Sequence, residues 1–486
     1  MPNIILKSFD GSKYDNPFIE IALNGLEIGT CISVANAGWE LPNIDCKEHI
    51  HLEASSMRSG NFYDTVDWND IAPLDEELIQ SMRNTEAMFY TMLDKYTQHG
   101  DILYTQRRRR YYKQLRYWND LLDRYEIDLL LLNHQPHQGY DIVLYDLCRK
   151  RGIPTLNLER TTVIDAMYIM QSWQESGEQI RKRYDELKQE YGSGDSHVEL
   201  SKNYEAYFKS YAEETPEPWF MKTFEKHYTS KSFLSRWGKK ALDFLTHHPV
   251  RFCKAFFSAK VWARKISQHN TQKMYYRMQK NPDLEKPYVY VALHAQPEMS
   301  TSPLSGAFVD QHLLVQLLAK YLPEGVQIYV KEHPLQNELC RSKNFYQVML
   351  DIPAVTLVPK TVDTFALIEN SKAVATGTGT VGFQALFRGK PIFMFGHRFF
   401  QYAPGVHRIH SKEDCEAAVK SIFERGETPS KRDMRIFLKA LEDTATPYTG
   451  IPHSPIEKYS QDEKAKLMGK AIRSAVQQVL PSIPSP

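Results

Sequence analysis

An apolar stretch in the second half of the chain runs directly into titratable side chains. The segment QIYVKEHP, residues 327–334, reads as a strand followed by Lys331, Glu332, His333 and Pro334. A lysine and an imidazole can bind a phosphate-bearing ligand, and the proline that follows them restricts the direction of the backbone. The alternative is a charged loop in which the histidine forms hydrogen bonds only within the protein.

A second stretch, TGTGTVGF, has small residues where a short apolar strand should turn into a helix. Glycine lets the backbone approach a ligand, and threonine hydroxyls with the N–H groups of a helix start can hold a phosphate. The residues concerned are Thr376, Thr378, Gly379 and Thr380. The stretch is not a P-loop, because no Gly-Lys-Thr follows it. A tight turn that needs glycine only for packing is the alternative.

A third polar stretch, HAQPEMSTSP, follows another apolar segment and contains His294, Gln296 and Glu298. In a cleft, a loop carboxylate can act as a general base or as a nucleophile. Glu298 is therefore the candidate catalytic group of this loop. A solvated loop carboxylate is the alternative interpretation.

In the first half, His137 and Glu159 are the candidate groups for deprotonating an acceptor hydroxyl. His137 follows the apolar segment IDLLLLN and Glu159 ends IPTLNLE, so both should face a cleft at the carboxyl edge of a sheet. The alternative for His137 is that it caps the next helix together with Asp141, because an acidic residue is favoured near a helix N-terminus.

Alternating strands and helices should position all of these residues. In the first half, IDLLLLN and IPTLNLE flank the helical segment YDIVLYDLCRK and make a βαβ unit. From Pro287 onward, PYVYVAL, VQIYVK, AVAT and PIFMFG read as strands that alternate with helices. Ligands of such sheets bind beyond the carboxyl ends of the strands, so the three polar loops should share one rim. The sequence therefore predicts an α/β protein with two Rossmann-like domains.

Bulk composition excludes several classes of protein. The 486 residues are 42% hydrophobic and 24% charged, and the net charge of +1 gives no global field for nucleic acid. The six cysteines lack the spacing of a metal or redox site, which predicts no bound metal and suits a reducing cytoplasm. No apolar run approaches the ~20 residues of a transmembrane helix, and the first residues do not resemble a signal peptide. We therefore expect a cytoplasmic protein.

The segment from Trp219 to Lys280 has fourteen Lys and Arg residues against two acidic ones, with aromatic residues interleaved. Basic and aromatic helices suit an anionic membrane surface, where each basic residue contributes about 1 kcal/mol. The segment therefore predicts peripheral attachment to the inner face of the cytoplasmic membrane. The competing interpretation is that the rings form the segment's own core and the cations solvate it. A shorter basic run, Gln106–Trp118, reads as a solvated helix face.

The three polar loops together resemble the capsule polysaccharide biosynthesis family. They appear here as HAQPEMSTSP, VKEHP and TGTVGFQALFRGKPIFMFG, within roughly residues 287–400. The first-half segment NHQPHQGYDIVLYDLCRKRGIPTL is similar more loosely. The best-understood members of the family are retaining β-Kdo glycosyltransferases of the two-domain GT-B fold.

The resemblance implies sugar transfer from a nucleotide-activated donor held by the C-terminal domain. It assigns Lys331 and His333 to the donor phosphate, with the turn Thr378–Thr380 around it. The other residues of the implied donor site are Gln296, Glu332, Thr376 and Gln384. No cofactor is expected beyond this donor, and CMP is one carrier that the resemblance allows.

Two positions depart from the family pattern. Gln384 stands where the family usually has Glu, so its contact with the nucleotide differs in charge. The loop after the first strand of the C-terminal domain has the single acid Glu298, where the Kdo enzymes have a pair of Asp residues. The donor sugar and the covalent Asp mechanism therefore do not carry over from the resemblance.

The expected organisation is GT-B-like, with a helical insertion and C-terminal helices. The predicted units are an N-terminal acceptor-side domain over 1–170, a helical basic and aromatic insertion or linker over 171–285, a C-terminal donor domain over 286–425, and C-terminal helices with a tail over 426–486.

We expect a glycosyltransferase of bacterial surface polysaccharide synthesis that acts on a glycan or lipid-linked acceptor. Kdo or a similar sugar is one donor that the resemblance suggests. The alternatives are a polyol-phosphate transferase that uses a nucleotide carrier, and a non-catalytic assembly or export partner that keeps the fold.

Overall fold

The computed structural model contains two α/β halves joined by helices. It describes residues 1–9, 15–93, 103–161, 163–164, 166–192, 197–214, 258–334, 336, 341–447 and 459–481. The strands are β1 Ile4–Lys7, β2 Ile28–Ala35, β3 Cys46–Glu53, β4 Leu129–Leu132, β5 Thr155–Arg160, β6 Ala166–Met170, β7 Tyr288–Ala292, β8 Gln327–Lys331, β9 Val355–Val358, β10 Ala373–Thr376, β11 Ile392–Met394, β12 Val406–Arg408 and β13 Thr446–Pro447.

The helices fall between these strands and after them. They are α1 Asp15–Leu23, α2 Ala54–Ser59, α3 Glu76–Ser81, α4 Arg83–Leu93, α5 Tyr104–Arg124, α6 Tyr140–Lys150, α7 Glu178–Tyr191, α8 Lys202–Glu213, α9 Ala259–Met278, α10 His312–Tyr321, α11 Lys343–Leu350, α12 Thr364–Asn370, α13 Thr380–Leu386, α14 Lys412–Val419, α15 Lys431–Thr444 and α16 Gln461–Val479. Within the described ranges, none of them is both long and apolar enough to cross a bilayer.

The first sheet has the strand order β13-β6-β5-β4-β1-β2-β3. The five strands from β5 to β3 pair in parallel. Strand β6 is antiparallel to both of its neighbours, β5 and β13. The four leucines of β4 are all buried, as expected for a central strand of a sheet that is covered on both faces. Helix α6 connects β4 to the parallel strand β5 and completes the predicted βαβ unit.

The second sheet has the order β12-β11-β10-β7-β8-β9, and every pairing in it is parallel. Together with the first sheet it confirms the predicted fold class, α/β with two Rossmann-like halves. In this sheet β7 lies between β10 and β8, with Ala292 opposite Lys331 and Val291 opposite Ala375. The three polar loops therefore leave the sheet side by side, as the sequence predicted.

The arginines of α5 do more than cover a solvated helix face. Arg107 donates to the carbonyl of Tyr90 at 3.2 Å, and Arg116 donates to the carbonyl of Ala72 at 2.9 Å. These bonds give partners to a carbonyl in the last turn of α4 and to a carbonyl of the loop before α3. Part of the basic run Gln106–Trp118 therefore fixes the loops of the first half.

The described part of the segment 171–285 is helical, and its first two helices pack against α15. The rings of Tyr184 and Phe437 lie 6.0 Å apart, and Arg435 forms an ion pair with Glu205 at 2.6 Å. Residues 215–257, which hold most of the basic and aromatic stretch, lie outside the described residues.

The end of the chain returns to the first sheet. Strand β13 pairs with β6, and α16 packs on α1, where a side chain at Gly469 would place its Cβ 2.6 Å from Ile21. Arg473 of the same helix donates to the carbonyl of Asn24 at 2.6 Å. The predicted limits at 170, 285 and 425 remain predictions, but residues after 426 are joined to the N-terminal half.

Candidate active site

A cavity of about 780 Å³ opens at the carboxyl edge of the second sheet. The loops after β7, β8, β9, β10 and β11 all contribute to it. The predicted residues that line it are Glu298, Lys331, Glu332, His333, Thr376, Thr378, Gly379, Thr380 and Gln384. The structure therefore brings together all but one of the predicted donor-site residues, with the candidate Glu298 beside them.

His294 joins the loop after β7 to the turn after β10. Its Nε2 atom lies 3.0 Å from the N–H of Thr378 and 3.0 Å from the hydroxyl of Thr376. A backbone N–H can only donate, so Nε2 is the acceptor and the imidazole is neutral. Burial lowers the pKa of His294 to about 3, which keeps it neutral at physiological pH.

Glycine in the turn after β10 is required by the close approach of His294. A Cβ at Gly377 would lie 2.3 Å from the hydroxyl of Ser305 and 3.1 Å from Nε2 of His294. A Cβ at Gly379 would lie 2.7 Å from the hydroxyl of Thr376. Packing thus accounts for these two glycines. The residues Thr376, Thr378, Gly379 and Thr380 of the same turn line the cavity.

Glu332 and Arg341 form a buried ion pair beneath the cavity, with N–O distances of 2.8 and 3.3 Å. Tyr346 donates to the same carboxylate at 2.7 Å, and the N–H of His333 donates at 2.8 Å. Burial alone would raise the pKa of Glu332, but Arg341 and these donors outweigh it and lower the pKa below its usual value.

Arg341 also holds the loop after β7. Its guanidinium donates to the carbonyl of His294 at 2.9 Å and to the side chain of Gln296 at 2.6 Å. The backbone of Gln296 pairs with the side chain of Gln336 as well. Gln296, which the sequence placed in the donor site, does not line the cavity and supports its wall instead.

Lys331 and His333 both line the cavity, in different states. The ammonium of Lys331 donates to the carbonyl of Val362 at 2.6 Å and to the hydroxyl of Thr364 at 2.8 Å, and burial lowers its pKa to about 8. Burial also lowers the pKa of His333 to about 4, so its imidazole is neutral near pH 7. Lys331 thus braces the loop after β9, while His333 can donate one hydrogen bond as a neutral ring.

Four polar groups of the cavity have few or no protein partners among the described residues. Among the described residues, no hydrogen bond is formed by the carboxylate of Glu298 or by the hydroxyl of Thr380. Both residues line the cavity and are at least partly exposed. The ammonium of Lys360 lies over the ring of Tyr275 at 5.8 Å. Within the described ranges, the guanidinium of Arg398 forms one ion pair, with Glu159. These groups are available to a ligand.

The other predicted contacts of the turn are occupied within the protein. The hydroxyl of Thr378 donates to the carbonyl of Ser300 at 2.9 Å, and that of Thr376 accepts the N–H of Gly379 at 3.1 Å. Gln384 is buried to 8% exposure at the cavity wall, beside Tyr211 of α8. Their part in holding a donor stays a prediction.

The candidates of the first half lie outside this cavity. The ring of His137 lies 4.6 Å from that of His134, and the N–H of His137 donates to Asp141 at 3.1 Å. Asp141 lies in the first turn of α6 and accepts the N–H of Gln138 at 2.7 Å, whereas Gly139 begins this helix without a side-chain cap, so the helix-capping alternative is not borne out. Asp141 also forms a fully buried ion pair with Lys7 at 2.8 Å. Burial would raise the pKa of Asp141, but Lys7 lowers it below its usual value.

Glu159 is also buried, with 1% of its surface exposed. It pairs with Arg398 across the two halves at 3.3 Å, and it accepts the hydroxyls of Tyr168 and Ser176. Glu159 therefore reaches the cavity through Arg398. Its predicted role as a base remains untested.

Sequence reasoning missed Lys360, Arg398 and Arg341. The first two follow β9 and β11, so the rule that ligands bind beyond the carboxyl ends of strands would have found them once those strands were examined. Arg341 follows no strand and has no sequence signal of this kind. In the described part of the chain, no group of three or more His, Cys, Asp or Glu side chains is arranged to hold a metal ion.

Residues 223–421 match the model of the family described as capsule polysaccharide biosynthesis protein. The matched segment contains every strand of the second sheet and all the residues that line the cavity. The match confirms the resemblance that the three loop motifs indicated. No curated protein matches the chain.

Several solved structures are similar to the chain at low identity. KpsC from Thermosulfurimonas dismutans, described as a beta Kdo 2,7 transferase, is 12% identical, with 76% of this chain and 97% of that chain covered and a TM-score of 0.26. The beta Kdo 2,4 transferase of the same KpsC is 12% identical, with coverage of 64% and 87% and a TM-score of 0.25. UDP-GlcNAc 2-epimerase from Neisseria meningitidis, bound to UDP-GlcNAc, is 9% identical, with coverage of 99% and 100% and a TM-score of 0.24. Likenesses at this level carry no argument about function.

Replacing Arg341 tests whether the buried ion pair holds the site together. Arg341→Met leaves the carboxylate of Glu332 buried without its cation, so the free energy of unfolding should fall by about 3–5 kcal/mol. Denaturant unfolding measures this. The matched control is Arg425→Met, whose ion pair with Glu427 is exposed and whose loss should change stability little. Equal effects of the two variants would contradict the structural role of Arg341.

Proposed function

We propose, from the membership of residues 223–421 in the capsule polysaccharide biosynthesis family, that the protein is a glycosyltransferase with a nucleotide-sugar donor. The observation that carries the proposal is the composition of the cavity. Among the described residues no side chain bonds to the carboxylate of Glu298, which shares the cavity with Lys360, Arg398, His333 and Thr380. A carboxylate and anion-binding groups in one cavity can together cleave a sugar–phosphate bond.

The size and chemistry of the cavity support this proposal. A volume of about 780 Å³ falls within the range of roughly 300–1,000 Å³ found for small-molecule sites. The cations and N–H donors that line the cavity can bind the phosphate and stabilise the charge that develops on it as the nucleotide leaves. The neutral ring of His333 donates to such an anion, and a donor to an ionised acceptor forms the stronger kind of hydrogen bond.

Glu298 supplies the reactive carboxylate in this proposal. As a nucleophile it would attack the anomeric carbon and displace the nucleotide phosphate. An acceptor hydroxyl, whose proton passes to that phosphate, would then displace the carboxylate. As a general base it would take the proton of the acceptor hydroxyl during a single displacement. Both routes need the carboxylate exposed in the cavity without a protein partner, and both are consistent with its position.

Replacing His333 tests the donor site. His333→Ala removes one hydrogen bond to the donor phosphate, so the nucleotide should bind about 1.5–3 kcal/mol more weakly. Calorimetric titration with CMP, CDP, UDP and GDP measures this, after thermal shift has identified the nucleotide that stabilises the wild type. His197→Ala, at an exposed position far along the chain, is the control. Unchanged affinity in His333→Ala would contradict the assignment.

Replacing Glu298 tests the chemistry. Glu298→Gln keeps the shape and removes the charge, so turnover should fall by about 100-fold or more while nucleotide affinity is kept. The control is Glu324→Gln, at an exposed loop position. Normal turnover in Glu298→Gln would move the reactive group elsewhere. Nucleotide binding without transfer from any donor in the wild type would favour the non-catalytic assembly partner.

A membrane-bound acceptor is the further part of the proposal. It is supported by the fourteen basic residues of 219–280 and by the exposed Trp262, Ile266 and Tyr276 of α9. The protein should sediment with anionic vesicles, and less so as salt rises, because surface attraction is screened within a Debye length of ~8 Å at physiological ionic strength. Equal recovery in the supernatant with anionic and neutral vesicles at low salt would rule this part out.

A further inference from the structure

We infer that Arg398 binds an oxyanion of the donor and that Glu159, from the first half of the chain, is the residue that positions it. The inference rests on the proposed function, because it names a recognition group of that same cavity. It also assigns Glu159 a different role from the base that the sequence suggested.

The guanidinium of Arg398 is nearly buried and incompletely bonded. Its side chain is 15% exposed and lines the cavity. Its one partner among the described residues is Glu159, whose Oε1 lies 3.3 Å from Nη1. An arginine has five N–H donors. Those of Arg398 that do not face Glu159 open to the cavity, where solvent or a ligand can meet them.

Glu159 is built to hold this arginine and not to take a proton from a ligand. It does not line the cavity, and its Oε2 accepts the hydroxyls of Tyr168 and Ser176 while its Oε1 faces Arg398. Two hydroxyl donors thus fix the carboxylate through Oε2, and its Oε1 forms the ion pair with the guanidinium. Such support holds the planar group of an arginine in a single orientation.

The loop that carries Arg398 is attached to the first half on both sides of that residue. Gln401 donates to the carbonyls of Gln174 at 3.1 Å and Ser176 at 2.5 Å. Ahead of Arg398, the ring of His397 lies 5.4 Å from that of Trp173. The two segments 173–177 and 397–402 therefore form one contact that orients Arg398.

Glycine makes this contact possible at its closest point. Gly177 has a positive φ of +86°, and a Cβ there would lie 2.2 Å from the carbonyl oxygen of Phe399. A side chain would both strain the backbone and push the two segments apart. The position of Arg398 is thus set by the fit between the halves.

The chemistry of the ligand follows from the guanidinium. Its planar fork matches a phosphate or a carboxylate, either of which accepts two parallel hydrogen bonds. In a nucleotide-sugar donor, the oxyanion is either the phosphate of the carrier or the carboxylate of an acidic sugar. If the oxyanion is the phosphate, Arg398 contributes to the binding of the nucleotide alone. If it is the sugar carboxylate, Arg398 contributes only when the sugar is attached.

The test compares Arg398→Gln with the wild type. We expect the affinity for the nucleotide that binds the wild type to fall roughly 10- to 100-fold if Arg398 holds the phosphate. If it holds a sugar carboxylate, that affinity stays, and the loss appears only with CMP-N-acetylneuraminate or CMP-Kdo as the probe. Arg398→Lys keeps the charge without the fork and should restore part of the affinity, whereas Arg425→Gln should change nothing.

A double-mutant cycle tests the role of Glu159. Glu159→Gln should weaken binding in the wild type and have no further effect in Arg398→Gln, because it acts through that arginine. If Glu159 only stabilised the fold, Glu159→Gln would lower the melting temperature of the wild type and of Arg398→Gln alike. Its effect on affinity would then not depend on whether Arg398 is present. Additive losses of affinity would overturn the positioning role.

The outcomes separate this inference from the proposed function. If nucleotides bind the wild type and depend on His333 but neither probe depends on Arg398, the inference alone is wrong. If no nucleotide binds the wild type, the proposed function fails and the inference fails with it. If Glu159→Gln does not fold, circular dichroism reports it, and the Arg398→Gln arm still decides whether the arginine binds the oxyanion.

Discussion

The hydrogen bond from the Thr378 N–H to Nε2 of His294 fixes the wall of the cavity. It works only with a neutral imidazole, and burial guarantees that form by disfavouring the charged ring. The carbonyl of the same histidine accepts from Arg341, and Arg341 neutralises Glu332 after β8. One buried ring thus links the ends of three parallel strands. The glycines of the turn are a consequence, because they give this ring its place.

The polar groups at the carboxyl edge of the second sheet divide into two sets. Glu332, Arg341, Thr376 and Thr378 bond to one another or to the backbone and leave little capacity for a ligand. Glu298, Thr380, Lys360 and Arg398 have the opposite character. The second set is partly or wholly exposed in the cavity, where solvent or a ligand can meet these groups. Whether a polar group already has a partner in the protein therefore distinguishes supporting residues from candidate ligand-binding residues better than its residue type does.

The sequence predicted the second sheet and its shared loop edge well, because strands of alternating α/β units must end on one side. It also found most of the cavity residues, since they follow strands directly. It did not predict Lys360, because the short strand Val355–Val358 was not recognised, nor the long-range contacts of Gln296 and Glu159. Their partners, Arg341 and Arg398, are distant in the chain, and no local pattern reveals a contact of that range. The spacing of the motifs predicts which loops lie at the carboxyl edge of the sheet. Tertiary packing decides which of their side chains face the cavity.

The return of α16 to α1 has a consequence for how the protein is made. The apolar side chains of Phe18 and Leu23 are covered by Met468 and Ile472, so one face of the first sheet has no complete cover until the last helix has left the ribosome. The first half of the chain emerges long before that, at about 5–20 residues per second. The surface that α16 covers therefore has no partner from that helix while the second sheet is synthesised. The order of translation and the order of final assembly are different in this molecule.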